Sequence, residues 1–196
     1  MLARKHATYA DLAAVPSHRV AEIVDGALES HPRPAPRHAL AASSMGVELS
    51  NSFHSGRGGP GGWIIIDEPE IHLGPHIVVP DLSGWRRERL ERLPDTPYFE
   101  VAPDWICEIL SPSTSRLDRG PKRRIYAEYG ISFLWLLDPD EQVLEAFRLV
   151  DKQWTLVGTV TGGADVALEP FDAVSFPLSI LFPFDLPKSD EPLTGS

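Results

Sequence analysis

His76-Ile77-Val78-Val79-Pro80-Asp81 and Trp105-Ile106-Cys107-Glu108-Ile109-Leu110-Ser111 are the two runs that decide how this chain is read. Both are short, β-branched or aromatic, and apolar on both faces, so they predict buried strands. Asp81 closes the first and Glu108 sits inside the second. A buried carboxylate is costly unless a cation, a metal or a proton compensates it. Two of them in neighbouring strands point to a place where a cation is held. Strand alternation puts Ile106, Glu108 and Leu110 on one face, with Trp105, Cys107 and Ile109 on the other. The competing reading of Glu108 is a lone charge escaping to solvent at a strand end; Asp81 and the basic helix that follows favour a site.

That helix has its own oddity. Asp118 predicts its N-cap, Pro121 suits its first turn, and Gly130 fits the position just past its end. Ile125, Tyr126 and Tyr129 form an apolar stripe, while Lys122, Arg123 and Arg124 crowd the first turns. Cations there oppose the helix macrodipole by a few tenths to ~1 kcal/mol. An anionic neighbour would offset this, either Asp81 with Glu108 or a phosphate.

Working outward, Thr8 to Val15 predicts a short helix capped by Thr8 and ended by Pro16. Arg19 to Val24 and Ala27 to Ser30 flank Asp25-Gly26, a two-residue hairpin signal. Glu22 reads first as a surface-facing hairpin residue, with an extra acid near the site as the alternative. The prolines of His31 to Pro36 keep that segment extended. A helix follows from about Arg37 to Phe53, with His38 in its first turn. His38 reads first as a packing or capping residue, and otherwise as a contact for substrate or a metal's surroundings. Gly56 to Gly62 lacks the Gly-Lys-Ser/Thr ending of a phosphate loop and has no helix after it, so it reads as a turn. The strand Trp63 to Asp67 is next, then the return that delivers Asp81. Trp85 through Thr96 reads as a charged excursion containing at most a helical turn.

Ser111-Pro112-Ser113-Thr114-Ser115 is a polar loop without a nucleophile–base pair. Phe133 to Leu137 predicts another buried strand. Antiparallel strands follow over Gln142 to Leu149, Trp154 to Val160 and near Val174, and Leu178 to Phe184 closes the fold or joins a dimer contact. The expected organisation is a single domain over residues 1–186, with a disordered tail over 187–196.

Composition sets outer bounds. Apolar content of 42% and charged content of 23% suit a soluble globular domain with a substantial core. One cysteine, Cys107, excludes an intramolecular disulfide. No apolar run reaches the ~20 residues of a membrane span, and the start lacks a signal-peptide core, so a cytoplasmic protein is expected. A net charge of −10 argues against broad nucleic-acid binding. Yet Arg86, Arg87, Arg89, Arg92, Arg116, Arg119, Lys122, Arg123 and Arg124 all lie in the central stretch. They read either as a basic rim around an acidic pocket or as charges solvating two exposed surfaces.

Pro80-Asp81, then Glu108, then Lys122 at the head of the next helix resembles the PD-(D/E)XK nuclease core. The chain as a whole is similar to a bacterial family of small restriction-endonuclease-like proteins, the Uma-type family. The resemblance rests on Ala21-Glu22-Ile23-Val24-Asp25-Gly26, Pro36-Arg37-His38, Val79-Pro80-Asp81, Glu108 to Thr114, Asp118-Arg119-Gly120-Pro121-Lys122, and Tyr129-Gly130 before Leu134 to Pro139, spanning about residues 8 to 180. The motif places lysine two residues after the acid, where this chain has Leu110; Lys122 is the candidate substitute by position.

The resemblance implies an α/β fold: a mixed central sheet with flanking helices, restriction-endonuclease-like, plus antiparallel C-terminal strands. It implies Mg²⁺ or Mn²⁺ held by Asp81 and Glu108, with Lys122 orienting or helping to deprotonate the attacking water. Ser111, His38 and Glu22 are candidate contacts for substrate or for the metal's surroundings. The expected activity is DNA phosphodiester hydrolysis by a possible homodimer. Its rivals are a catalytically degenerate binding or regulatory module, and an interaction protein whose acid–base cluster is only structural.

Overall fold

The structure, a computed structural model, describes residues 6–184. In chain order its elements begin with α1 (Tyr9–Ala13), β1 (Arg19–Val24), β2 (Ala27–Pro32) and α2 (Pro36–Leu49). Then come β3 (Trp63–Asp67), β4 (Ile71–Leu73), β5 (His76–Val78), β6 (Leu82–Arg86) and β7 (Trp105–Ile109). A helical turn α3 (Ser115–Leu117) and the helix α4 (Arg123–Glu128) precede β8 (Phe133–Asp138), β9 (Val143–Val150) and β10 (Gln153–Thr161). The short ribbon of β11 (Asp165–Val166) and β12 (Phe176–Pro177) ends the strands. The tail expected over 187–196 lies outside the described residues.

Thr8 caps α1 through a reciprocal capping box with Asp11. The hairpin of β1 and β2 turns at Asp25 and Gly26, with φ of 52° and 73°. Positive φ at both central residues matches the right-handed strand twist. This hairpin is not in the central sheet. It joins β5 and β4 in a four-stranded sheet ordered β2-β1-β5-β4.

The central sheet has six strands in the order β10-β9-β8-β7-β6-β3. It is mixed: β7 and β8 run parallel, with Glu108 opposite Leu136, and its other pairings are antiparallel. The period-two alternation of β7 sorts two cores onto its faces. Trp105, Cys107 and Ile109 pack with Trp135, Leu137 and the buried stripe Ala41, Met45 and Leu49 of α2. Ile106 and Leu110 pack with Leu134, Leu136, Ile125 and Tyr126, and with Val24, Ile71 and Val78 of the smaller sheet. Phe171 touches the rings of Trp63, Trp105 and Trp135, which extends the first core under the C-terminal strands. Leu178 and Leu181 close onto that same core. Among the described residues no helix is long and apolar enough to cross a membrane.

Three expectations need correction. First, Leu82 to Arg86 is a strand, and Trp85 is fully buried within it. Its charged neighbours Arg86 and Arg87 hide the period, because only the last residue of the strand faces water. Second, Asp81 therefore reaches Glu108 by entering β6, which pairs with β7, rather than from β5, which lies in the other sheet. Third, Asp118 is not an N-cap. Helical structure starts at Ser115, and Asp118 lies inside it, at the head of a π turn, Asp118–Lys122, that contains Pro121. Proline has no N–H to donate, and the wider turn accommodates it before α4 resumes.

Gly84 sits where two indoles close on the central sheet. A Cβ there would lie 3.1 Å from the Trp105 ring and 3.3 Å from that of Trp63, both buried. Gly84→Ala is expected to destabilise the fold by about 1–3 kcal/mol through overpacking. Urea unfolding should show a lower midpoint with an unchanged m value.

Candidate functional site

The sheets and the helical segment meet at one charged cluster. Lys122, on the π turn, is buried, as are Glu22 on β1, Glu108 on β7 and Asp118 one turn before it. Its Nζ lies 2.9 Å from Glu22 Oε1, 2.9 Å from Glu108 Oε1 and 3.3 Å from Asp118 Oδ1. Three N–H donors thus meet three carboxylates. Tyr126, one further turn along, donates its hydroxyl proton to Glu108 Oε1.

Glu22 also accepts the Val79 N–H at 2.8 Å. His31 Nε2 lies 3.2 Å from Glu22 Oε2, an ion pair when His31 is protonated. Asp81 is held separately: its Oδ2 accepts the Ile109 N–H at 2.7 Å, and its Oδ1 lies 3.3 Å from His38 Nε2. Asp81, Glu108, Glu22, Asp118, His38 and Lys122 all line one cleft of about 260 Å³. The extended segment Pro32-Arg33-Pro34 and the Ser111 loop form further parts of its wall. Ser111 Oγ lies 3.0 Å from both Ser113 Oγ and Thr114 Oγ1, which ties that loop together.

The electrostatics follow from four carboxylates facing one ammonium. Burial, joined by the charges of Asp118, Asp81 and Glu22, pushes Glu108 well above the usual carboxylate range despite Lys122. Burial likewise raises Asp118. Glu22 goes the other way: burial opposes its charge, but Lys122, His31 and the Val79 N–H outweigh it and hold its pKa at about 2. For Lys122, burial works against the charge, but Glu108, Glu22, Tyr126 and Asp118 overcome it and keep the ammonium well above its ordinary pKa. The surrounding carboxylates thus favour the charged form of Lys122. Burial also disfavours protonation of His38, and Asp81 outweighs that and raises its pKa.

The cleft brings together every candidate that the sequence named, and corrects how one was read. Glu22 is not on the surface; its side chain is 1% exposed and bound to Lys122. His38 packs as expected, but against Asp81. Leu110 is buried in the apolar core and does not line the cleft. The basic rim is absent in the form envisaged: of the nine central cations only Lys122 lines the cleft. Arg89 pairs with Asp104, Arg119 with Glu145, and Arg124 with Asp25 and Glu128. Asp118 and Tyr126 were missed as members of the site. Their signal is the spacing Asp118, Lys122, Tyr126, which sets all three on one helical face.

Among the described residues no three His, Cys, Asp or Glu side chains form a ready-made metal cage. Mg²⁺ does not need one, since it is commonly held by one or two carboxylates with water and substrate phosphates completing the shell. Asp81 and Glu108 supply hard oxygen donors in a cleft with excess negative charge, so the donor set fits such a cation.

Lys122→Met leaves three buried carboxylates without their cation and is expected to cost about 3–5 kcal/mol, read by chemical denaturation at pH 7. Glu22→Gln tests the opposite partner. A carboxyl held at about 2 instead of 4.5 stabilises the fold above its unfolded pKa by ~3 kcal/mol, and this is lost as pH falls towards 2. The gap between wild type and Glu22→Gln should therefore be full at pH 7 and close between pH 4.5 and 2.

A family model described as Uma2, putative restriction endonuclease, matches residues 7–179. Among solved structures, a putative nuclease belonging to DUF820 from Anabaena variabilis is similar in fold, with a TM-score of 0.71. The two are 24% identical, and the match covers 91% of this chain and 98% of that one. No curated protein matches the chain.

Proposed function

The chain belongs to the Uma2 family of putative restriction endonucleases, and from that premise we propose that it is a metal-dependent endonuclease hydrolysing DNA phosphodiester bonds. The observation that carries this reading is the meeting of Asp81, Glu108 and Lys122 in one cleft, with Lys122 Nζ 2.9 Å from Glu108. Lys122 stands in for the lysine that Leu110 displaces, reaching the acid from the helical segment instead of the strand.

In this reading Asp81 and Glu108 hold Mg²⁺ or Mn²⁺. When bound, such an ion activates a water as nucleophile and neutralises charge on the phosphate. His38 Nε2 and the Ile109 N–H orient Asp81. Lys122, as an ammonium, orients the attacking water and faces the charge that grows on the phosphate oxygens. The hydroxyls of Ser111 and its neighbours, which line the cleft, would meet a flanking phosphate. Cutting both strands of a duplex calls for two such clefts, which a homodimer would supply.

A second reading, a catalytically silent binding module, has one observation in its favour: all three Lys122 donors already have carboxylate partners. Supercoiled DNA with Mg²⁺ or Mn²⁺ decides between them. Wild type is expected to produce nicked and linear forms, and Asp81→Asn to lose at least 100-fold in rate while keeping its thermal stability. Equal cleavage by the two proteins, or none by either, removes the nuclease reading.

A further inference from the structure

We infer that Tyr126 is a positioning residue for Glu108, whose hydroxyl decides which carboxylate oxygen is left to face a divalent cation. The inference rests on the metal-dependent reading of the cleft and adds to it a residue from the helix beneath. Asp118, Lys122 and Tyr126 recur every four residues and project from one side of the helical segment. Tyr126 is fully buried, its ring packed in the core shared with Ile106, Ile125 and Leu134. Its hydroxyl ends on Glu108 Oε1, the same oxygen that Lys122 Nζ approaches at 2.9 Å. Both donors thus converge on that one oxygen.

A terminal carboxylate torsion is broad and nearly two-fold, so a glutamate left to itself presents either oxygen. Two donors on one oxygen remove that choice. Lys122 does this poorly alone, because its three donors are divided among Glu22, Glu108 and Asp118. Tyr126 has a single partner and a rigid ring, so its hold on Glu108 is directional.

Calorimetric titration of the full chain with Mn²⁺ at neutral pH tests the inference without any activity measurement. Wild type is expected to bind, and Tyr126→Phe to bind about 10–100-fold more weakly with a native circular dichroism spectrum, as when a partner that orients a metal ligand is removed. Ile125→Val trims the same core without touching Glu108, and is expected to keep wild-type affinity, which separates lost orientation from general loosening. Tyr126→Phe binding Mn²⁺ as tightly as wild type, or Ile125→Val weakening it as much, overturns the inference and leaves the metal reading in place. A wild type that takes up no Mn²⁺ overturns both.

Discussion

A lysine ammonium enclosed by three carboxylates holds the two sheets of this protein at their seam. Glu22 comes from the smaller sheet, Glu108 from the central one, and Asp118 and Lys122 from the helical segment between β7 and β8. Removing water from these four groups is expensive, and their mutual attraction repays it only if the geometry is maintained. The surroundings maintain it. A backbone N–H fixes Glu22, a phenol fixes Glu108, and the π turn around Pro121 sets Lys122 facing both sheets. π turns are often found where function requires a local departure from regular helix.

The cluster remains electrically unbalanced. Five carboxylates, those of Glu22, Glu68, Asp81, Glu108 and Asp118, line the cleft with the cations Lys122 and Arg33, and burial raises the proton affinity of Glu108 most clearly. The net charge of −10 acts at longer range. It disfavours loose attachment to nucleic acid, and most of the central arginines are tied to acidic or aromatic neighbours.

Much of this was legible from residues alone. The alternation around Glu108 correctly separated the two cores, and Asp25-Gly26 correctly marked the hairpin. What escaped was long-range. Glu22 lies in an alternating hairpin strand that looks half-exposed, and nothing local reveals that Lys122, one hundred residues later, covers it. β6 escaped because Arg86 and Arg87 end it in charge, although Leu82 to Trp85 are buried. Asp118 was mistaken for a cap because Asp and Pro near a helix start usually signal one. Here the carboxylate turns inward to Lys122 and the helix begins three residues earlier.

Asp81 stands apart from the seam: among the described residues its side chain meets the Ile109 N–H and His38. The cleft wall and the joint between the sheets are therefore separable. Replacing Asp81 removes two contacts at the wall, whereas replacing Lys122 strips one shared cation from three buried carboxylates.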